Sequence, residues 1–313
     1  MKGLWLEAGK LSFNPNLPDP VAEAGEALVA VRRVGICGTD LALLSGYAGF
    51  SGVPGHELVG DVVAGPEEWR NARVTAEINV ACGRCDLCQA GLANHCTHRE
   101  VLGIRDHGGA FAELVSVPVT NLWRIPASLT DEQAVLIEPL AAALQITEQV
   151  AIAPDTRVLL IGAGRLGQLI AQVLLASGTV PEILIRTAAR RHSFAGLGGQ
   201  LVDEPRGHYD LVVDASGSAA GLQQALASVR PRGTIVLKST WAGLSQVDFS
   251  ALVVNEISLV GSRCGPFGRA IAWLAEGRIR TGHLRMATYS LEAHAAAFAR
   301  AAEPDIYKVM FRP

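Results

Sequence analysis

The stretch that most constrains this chain is a set of glycines placed directly after an apolar strand. Arg157-Val-Leu-Leu-Ile161 is apolar at every position after the first, the pattern of a strand covered on both faces. Gly162-Ala-Gly164-Arg165-Leu166-Gly167 follows at once, and residues 168–176 then carry the spacing of a helix. Strand, G-x-G-x-x-G turn and helix in that order make a phosphate cradle. The glycines let backbone approach a pyrophosphate, and the helix end supplies free N–H groups with a positive dipole. Apolar segments at 183–185, 211–213, 234–237 and 257–261, with a helix at 219–228, imply an α/β domain built on a doubly wound parallel sheet.

The turn therefore marks a Rossmann dinucleotide site with Gly162, Gly164, Arg165, Leu166 and Gly167 at the phosphates. An NAD site usually carries an acid about 20 positions later, at the end of the second strand. Counting 19 from Gly167 reaches Arg186, with Arg190 and Arg191 close behind, while Glu182 stands at the strand's start. Arginines pair with a 2′-phosphate that a carboxylate would repel. The expected cofactor is NADP in preference to NAD.

Two groups of metal-ligand side chains precede this domain. Cys37 lies in Gly35-Ile-Cys-Gly-Thr39-Asp40-Leu, and His56 and Glu57 lie in Gly55-His-Glu-Leu-Val-Gly60. Glu138 stands in Leu-Ile-Glu-Pro-Leu. A lone cysteine is most often a small buried hydrophobe. Here glycines bracket both segments, which a crowded site requires. Thiolate, imidazole and carboxylate suit zinc, and these residues are expected to hold one catalytic ion. Cys82, Cys85, Cys88 and Cys96 form a second group, spaced C-x2-C-x2-C-x7-C. Four thiolates close a tetrahedral zinc and leave no place for substrate, so its expected role is structural. Iron–sulfur clusters also use close cysteines.

The 313 residues suffice for two domains. Apolar residues reach 49%, yet no run has the length of a membrane span. The first ten residues are broken by Glu7 and Lys10 and lack a signal-peptide core, so a cytoplasmic protein is expected. A net charge of −3 without a basic block argues against nucleic acid as a partner. Residues 27–34 and 58–63 read as strands. Thr130 with Gln133 reads as a capping box, and Pro139 suits a helix start. Helices are expected at 269–276 and 291–302, and a last strand at 308–311.

Together these residues resemble the medium-chain dehydrogenase/reductase superfamily, in its zinc-dependent alcohol dehydrogenase-like branch. The resemblance rests on 35–41, 55–62, 82–96, 108–114, Glu138-Pro139-Leu140, 162–167 and Lys308-Val309. It implies a β-rich GroES-like catalytic domain from residues 1–138 and 265–313, with the structural zinc lobe at 82–96, around a Rossmann domain at 139–264. It implies hydride transfer between NAD(P) and a secondary alcohol, polyol or sugar-like substrate. Cys37, His56 and Glu138 would be zinc ligands, with Glu57 alternating between ligand and outer partner. Asp40 would fix the His56 ring and Thr39 would take the alcohol proton. Many relatives have histidine where Ala42 stands, so the proton would leave through water or His107. A homodimer or homotetramer, joined along the strand at 257–261, is also implied. Two other readings are a zinc-independent reductase of the same fold, which the ligand residues disfavour, and a non-catalytic nucleotide-sensing protein.

Overall fold

A computed structural model describes residues 1–186, 191, 194, 196–240 and 246–313. The chain separates into two units, Met1–Glu138 with Arg285–Pro313, and Pro139–Leu284. The return boundary falls later than the expected 264/265 junction, because residues 265–284 pack into the second unit. Helix Phe267–Ala275 buries Phe267, Trp273 and Leu274. Gly265 lies so close to the neighbouring helix that a Cβ there would sit 2.0 Å from the Ala141 carbonyl oxygen. Arg269 pairs with Glu148, and Arg278 donates to the Ala176 carbonyl at 2.9 Å.

The first unit is built on a seven-stranded sheet. Its central strand, Glu26–Gly35, pairs antiparallel with Glu57–Ala64 over most of its length. Leu114–Pro118 and Lys308–Phe311 pair with its two ends. The last strand of the chain thus runs beside the strand that leads into Cys37. Edge-on packing of Phe111 against Phe311 (5.0 Å) and Phe298 (6.1 Å) closes the core beneath it. The capping box forms as its sequence requires: Gln133 N donates to Thr130 Oγ1 at 3.2 Å, and Thr130 N donates to Gln133 Oε1 at 3.0 Å.

The second unit is a six-stranded parallel sheet in the order Gln200–Val202, Glu182–Leu184, Val158–Ile161, Tyr209–Asp214, Val229–Leu237, Ser258–Gly261. Numbered along the chain this is 3-2-1-4-5-6, the Rossmann order, with its switch point between the first and fourth strands. The edge strand Gln200–Val202 went unread in the sequence. It is three residues long and buries only Val202 fully, so it carries little apolar signal. Among the described residues no helix is long and apolar enough to cross a membrane.

Candidate active site and metal sites

Two adjoining strands deliver the candidate side chains. Gly35 and Glu57 face each other across the ladder, so Cys37 and His56 emerge at one end of it. Cys37 caps the helix Gly38–Leu44, and its backbone N–H donates to Asp40 Oδ2 at 2.8 Å. Asp40 Oδ1 lies 3.5 Å from His56 Nδ1, with both side chains almost fully buried. Among the described residues neither atom has a closer polar partner, so each faces the other. Burial works against a charged His56 ring. Asp40 and Cys37 together outweigh it, and the ring's pKa rises well above the ordinary 6.5. Thr39 Oγ1 is 3.8 Å from the Cys37 sulfur.

A thiol and an imidazole in mutual contact, with a carboxylate behind the ring, form a donor set suited to zinc. Glu138 is half-buried in the first turn of helix Ile137–Gln149, which opens two residues before Pro139, earlier than the expected start after Glu138. It does not join Cys37 and His56 in a group whose ligand atoms all lie within 4.8 Å. Both Glu57 oxygens accept from Lys308 Nζ, at 2.7 and 2.6 Å, and the pair is buried. The carboxylate expected to alternate between ligand and outer partner is held by an ammonium that sequence spacing did not connect to it.

Cys82, Cys85, Cys88 and Cys96 bring their sulfurs within 4.8 Å of one another. Cys85–Cys88 and Cys82–Cys96 are 3.5 Å apart, and Cys85–Cys96 is 3.8 Å. Tetrahedral zinc with Zn–S bonds of about 2.3 Å separates its sulfurs by about 3.8 Å, so the lobe already has the dimensions of the ion. Backbone N–H groups of Cys88 and Thr97 hold the Cys85 thiol down to about 5. Burial and the neighbouring sulfurs push Cys88 up to about 12. The lobe shares protons that a cation displaces.

A pocket of about 480 Å³ in the same unit is lined by Trp5, Phe50, Ser51, Arg105, Asp106 and His107. His107 Nδ1 donates to the Gly108 carbonyl at 2.8 Å, which leaves Nε2 of the neutral ring as an acceptor.

In the second unit the glycine turn sits at the switch point. Gly162 has φ +111°, and a Cβ there would fall 2.5 Å from the Ala215 carbonyl. At Gly167 a Cβ would fall 2.0 Å from the Gly162 carbonyl oxygen, so only glycine lets helix Arg165–Ala176 start this close to the strand. Gly164 caps that helix and carries no side chain, which suits a helix N-terminus that receives an anion. Arg165 and Leu166 are half-buried in the first turn.

Arg186 is exposed just past the second strand, 3.4 Å from Gln224 Oε1. Arg191 pairs with Asp203, and Arg190 lies outside the described residues. Glu182, at the opposite strand end, accepts from the Tyr209 hydroxyl at 2.8 Å. Asp214 was missed by sequence reasoning. It ends the fourth strand fully buried, with Oδ1 accepting from Ser216 N at 2.9 Å, Oδ2 unpartnered, and its carboxyl pushed up by burial. The available signal was Asp-Ala-Ser-Gly directly after an apolar strand.

The family model of the alcohol dehydrogenase GroES-like domain matches residues 23–127, and that of the zinc-binding dehydrogenases matches residues 191–276. L-galactonate-5-dehydrogenase of Escherichia coli K12 is 31% identical, with 90% of this chain and 89% of that protein aligned. The chain belongs to the zinc-type alcohol dehydrogenase family. Its structure superposes on an alcohol dehydrogenase, RspB, of Escherichia coli CFT073 solved with NADH, at TM-score 0.91 and 28% identity over 100% and 99% of the two chains. A zinc-binding dehydrogenase of Sinorhizobium meliloti 1021 solved with NADP gives TM-score 0.90 and 28% identity over the same shares. The chain is thus an NAD(P)-dependent oxidoreductase of the zinc type.

Proposed function

We propose that the protein oxidises a secondary hydroxyl of a polyol or sugar-like acid, or runs the reverse reduction, with NADP favoured over NAD. The observation that carries this reading is the buried His56–Asp40 pair with half-buried Cys37 beside it. Cys37, His56 and Glu138 hold the catalytic zinc, and Cys82, Cys85, Cys88 and Cys96 hold a structural one. Bound zinc polarises the alcohol oxygen and lowers its proton affinity. Asp40 fixes the His56 ring so that one nitrogen faces the ion. Thr39, beside Cys37, takes the substrate proton. With Ala42 in the outer relay position, that proton leaves through water or the free Nε2 of His107.

The pocket at Trp5 and Phe50 supports a polyhydroxylated substrate, because it sets aromatic faces beside Ser51, Arg105 and Asp106. L-galactonate, the substrate in a relative's name, has that chemistry. Arg186 supports NADP, since a guanidinium at the end of the second strand suits a 2′-phosphate. Six free cysteines support a reducing compartment, the cytoplasm. Exposed Phe249, Val253 and Val254, with Leu259 on the edge strand, support a homodimer or homotetramer through that side of the sheet.

The test is cofactor reduction over secondary alcohols, polyols and sugar acids with each nicotinamide. Turnover on a polyol or sugar acid is expected, with kcat/KM higher for NADP. Arg186→Ala should cost NADP about 10–100-fold, the worth of a charge-assisted bond, and leave NAD unchanged. An NAD advantage in the native enzyme, or no turnover on any hydroxyl substrate, contradicts the reading.

A further inference from the structure

We propose that Asp214 is a positioning residue: it holds the turn 215–218 as a rigid wall on which the nicotinamide half of the cofactor seats. The inference rests on the glycine turn 162–167 as the nucleotide site. A sheet of order 3-2-1-4-5-6 holds one mononucleotide on each side of its switch point. The 2′-position of the adenosine ribose is read after the second strand. The adenosine half therefore belongs to the first three strands, and the nicotinamide half to the last three. The turn 215–218 directly follows the fourth strand and leads into helix Ala219–Ser228.

This turn is built against the glycine turn. A Cβ on Gly162 would fall 2.5 Å from the Ala215 carbonyl oxygen and 2.7 Å from Ser216 N. Ala215 N donates at 2.8 Å to the carbonyl of Ile161, the last residue of the first strand. The next three N–H groups are taken by side chains. Ser216 N donates to Asp214 Oδ1 at 2.9 Å, Gly217 N to Ser239 Oγ at 2.7 Å and Ser218 N to Ser216 Oγ at 3.2 Å. Ser239, just past the fifth strand, donates in turn to the Asp214 carbonyl at 3.3 Å. With these donors engaged, the turn offers a ligand shape rather than hydrogen bonds. Gly217 is exposed with φ +70°, and beyond its chain neighbours no described atom lies within 4 Å of where its Cβ would stand. Bare backbone of that kind admits a close approach.

Asp214 anchors the turn from inside. It is fully buried, and among the described residues its Oδ2 has no hydrogen-bond partner. The fold alone favours an apolar side chain there, because a lone buried carboxyl oxygen costs free energy. Burial pushes the carboxyl up, towards its neutral form. What it provides is the bond to Ser216 N. Gly221 leaves room for that bond, since a Cβ there would lie 2.7 Å from Asp214 Oδ1. A carboxyl that only braced the sheet would serve both halves of the cofactor alike. A positioning one serves the half that meets the turn.

The experiment is calorimetric titration of the purified full-length protein with the dinucleotide it prefers, NADP or NAD. The matching adenosine probe, adenosine 2′,5′-bisphosphate or AMP, stops short of the nicotinamide half. Asp214→Leu removes the acceptor at similar volume. It should weaken the dinucleotide about 10–100-fold, the weight of a buried donor left unpaired, and leave the adenosine probe unchanged. Asp214→Asn keeps an acceptor oxygen in a neutral side chain and should bind both ligands as wild type does. Should Asp214→Leu not fold, Ser239→Ala carries the test. It frees Gly217 N and should weaken the dinucleotide about tenfold with the adenosine probe again unchanged. Equal loss of both ligands in a folded variant, wild-type dinucleotide binding in Asp214→Leu, or Asp214→Asn as weak as Asp214→Leu overturns the role. A native protein that binds neither ligand overturns the nucleotide site beneath it as well.

Discussion

The cysteine lobe and the Cys37–His56 pair lie in one unit, yet they are assembled in opposite ways. The lobe draws all four ligands from residues 82–96, and its sulfurs stand within 4.8 Å of one another without help from distant parts of the chain. The proposed catalytic ligands come from a helix cap, the residue before a strand and a helix's first turn, at positions 37, 56 and 138. There Asp40 lies 3.5 Å from the His56 ring with Cys37 beside it, and the neighbouring Glu57 carboxylate is held by Lys308. A closed site can be written locally because geometry is its whole task. An open site needs the fold to bring ligands together from separate segments and leaves one position for substrate.

The largest effect expected from this contrast is on turnover. Cys37→Ser should lower kcat/KM by roughly a thousandfold or more, since a Lewis-acid metal supplies several kcal/mol to the barrier. Cofactor affinity, followed by fluorescence titration, should hold. Cys85→Ser should leave the folded fraction at nearly full kcat. Equal losses in the two variants would erase the distinction. Stability should reverse the order: Cys85→Ser loses several kcal/mol of the folding energy a structural metal provides, and its melting temperature should fall further than that of Cys37→Ser.

Asp40→Asn comes next. It should cost about 10–100-fold in zinc affinity or activity, the usual weight of a partner behind a ligating histidine. The smallest effect is on pH. In the metal-free protein the raised pKa of His56 means that its charged ring stabilises the fold fully below the ordinary 6.5, and that this contribution is lost as pH rises through the raised value. Zinc requires the neutral ring, so affinity at this site should rise with pH, by up to about tenfold per unit while the ring is protonated. Chelator competition at several pH values measures it, and a flat profile would contradict the account of His56.

How much of this was legible follows from distance along the chain. The glycine turn, the cysteine spacing and the Cys37 and His56 segments are local signals, and each lies where its spacing implied. The Glu57–Lys308 pair spans 251 positions and depends on the register of the last strand. Nothing local in either segment encodes that register. Asp214 is set by burial at a sheet switch point, which emerges only when the first and fourth strands pair. The late boundary at Leu284 goes with Gly265 fitting against Ala141, a contact between a loop and a helix far apart in sequence.

Metal counting joined to turnover tests the two-site account most directly. Elemental analysis of the purified native enzyme should give two zinc ions per chain, and Cys37→Ser should retain one while losing turnover. Two ions in inactive Cys37→Ser, or full activity in a chain that holds one, would contradict it.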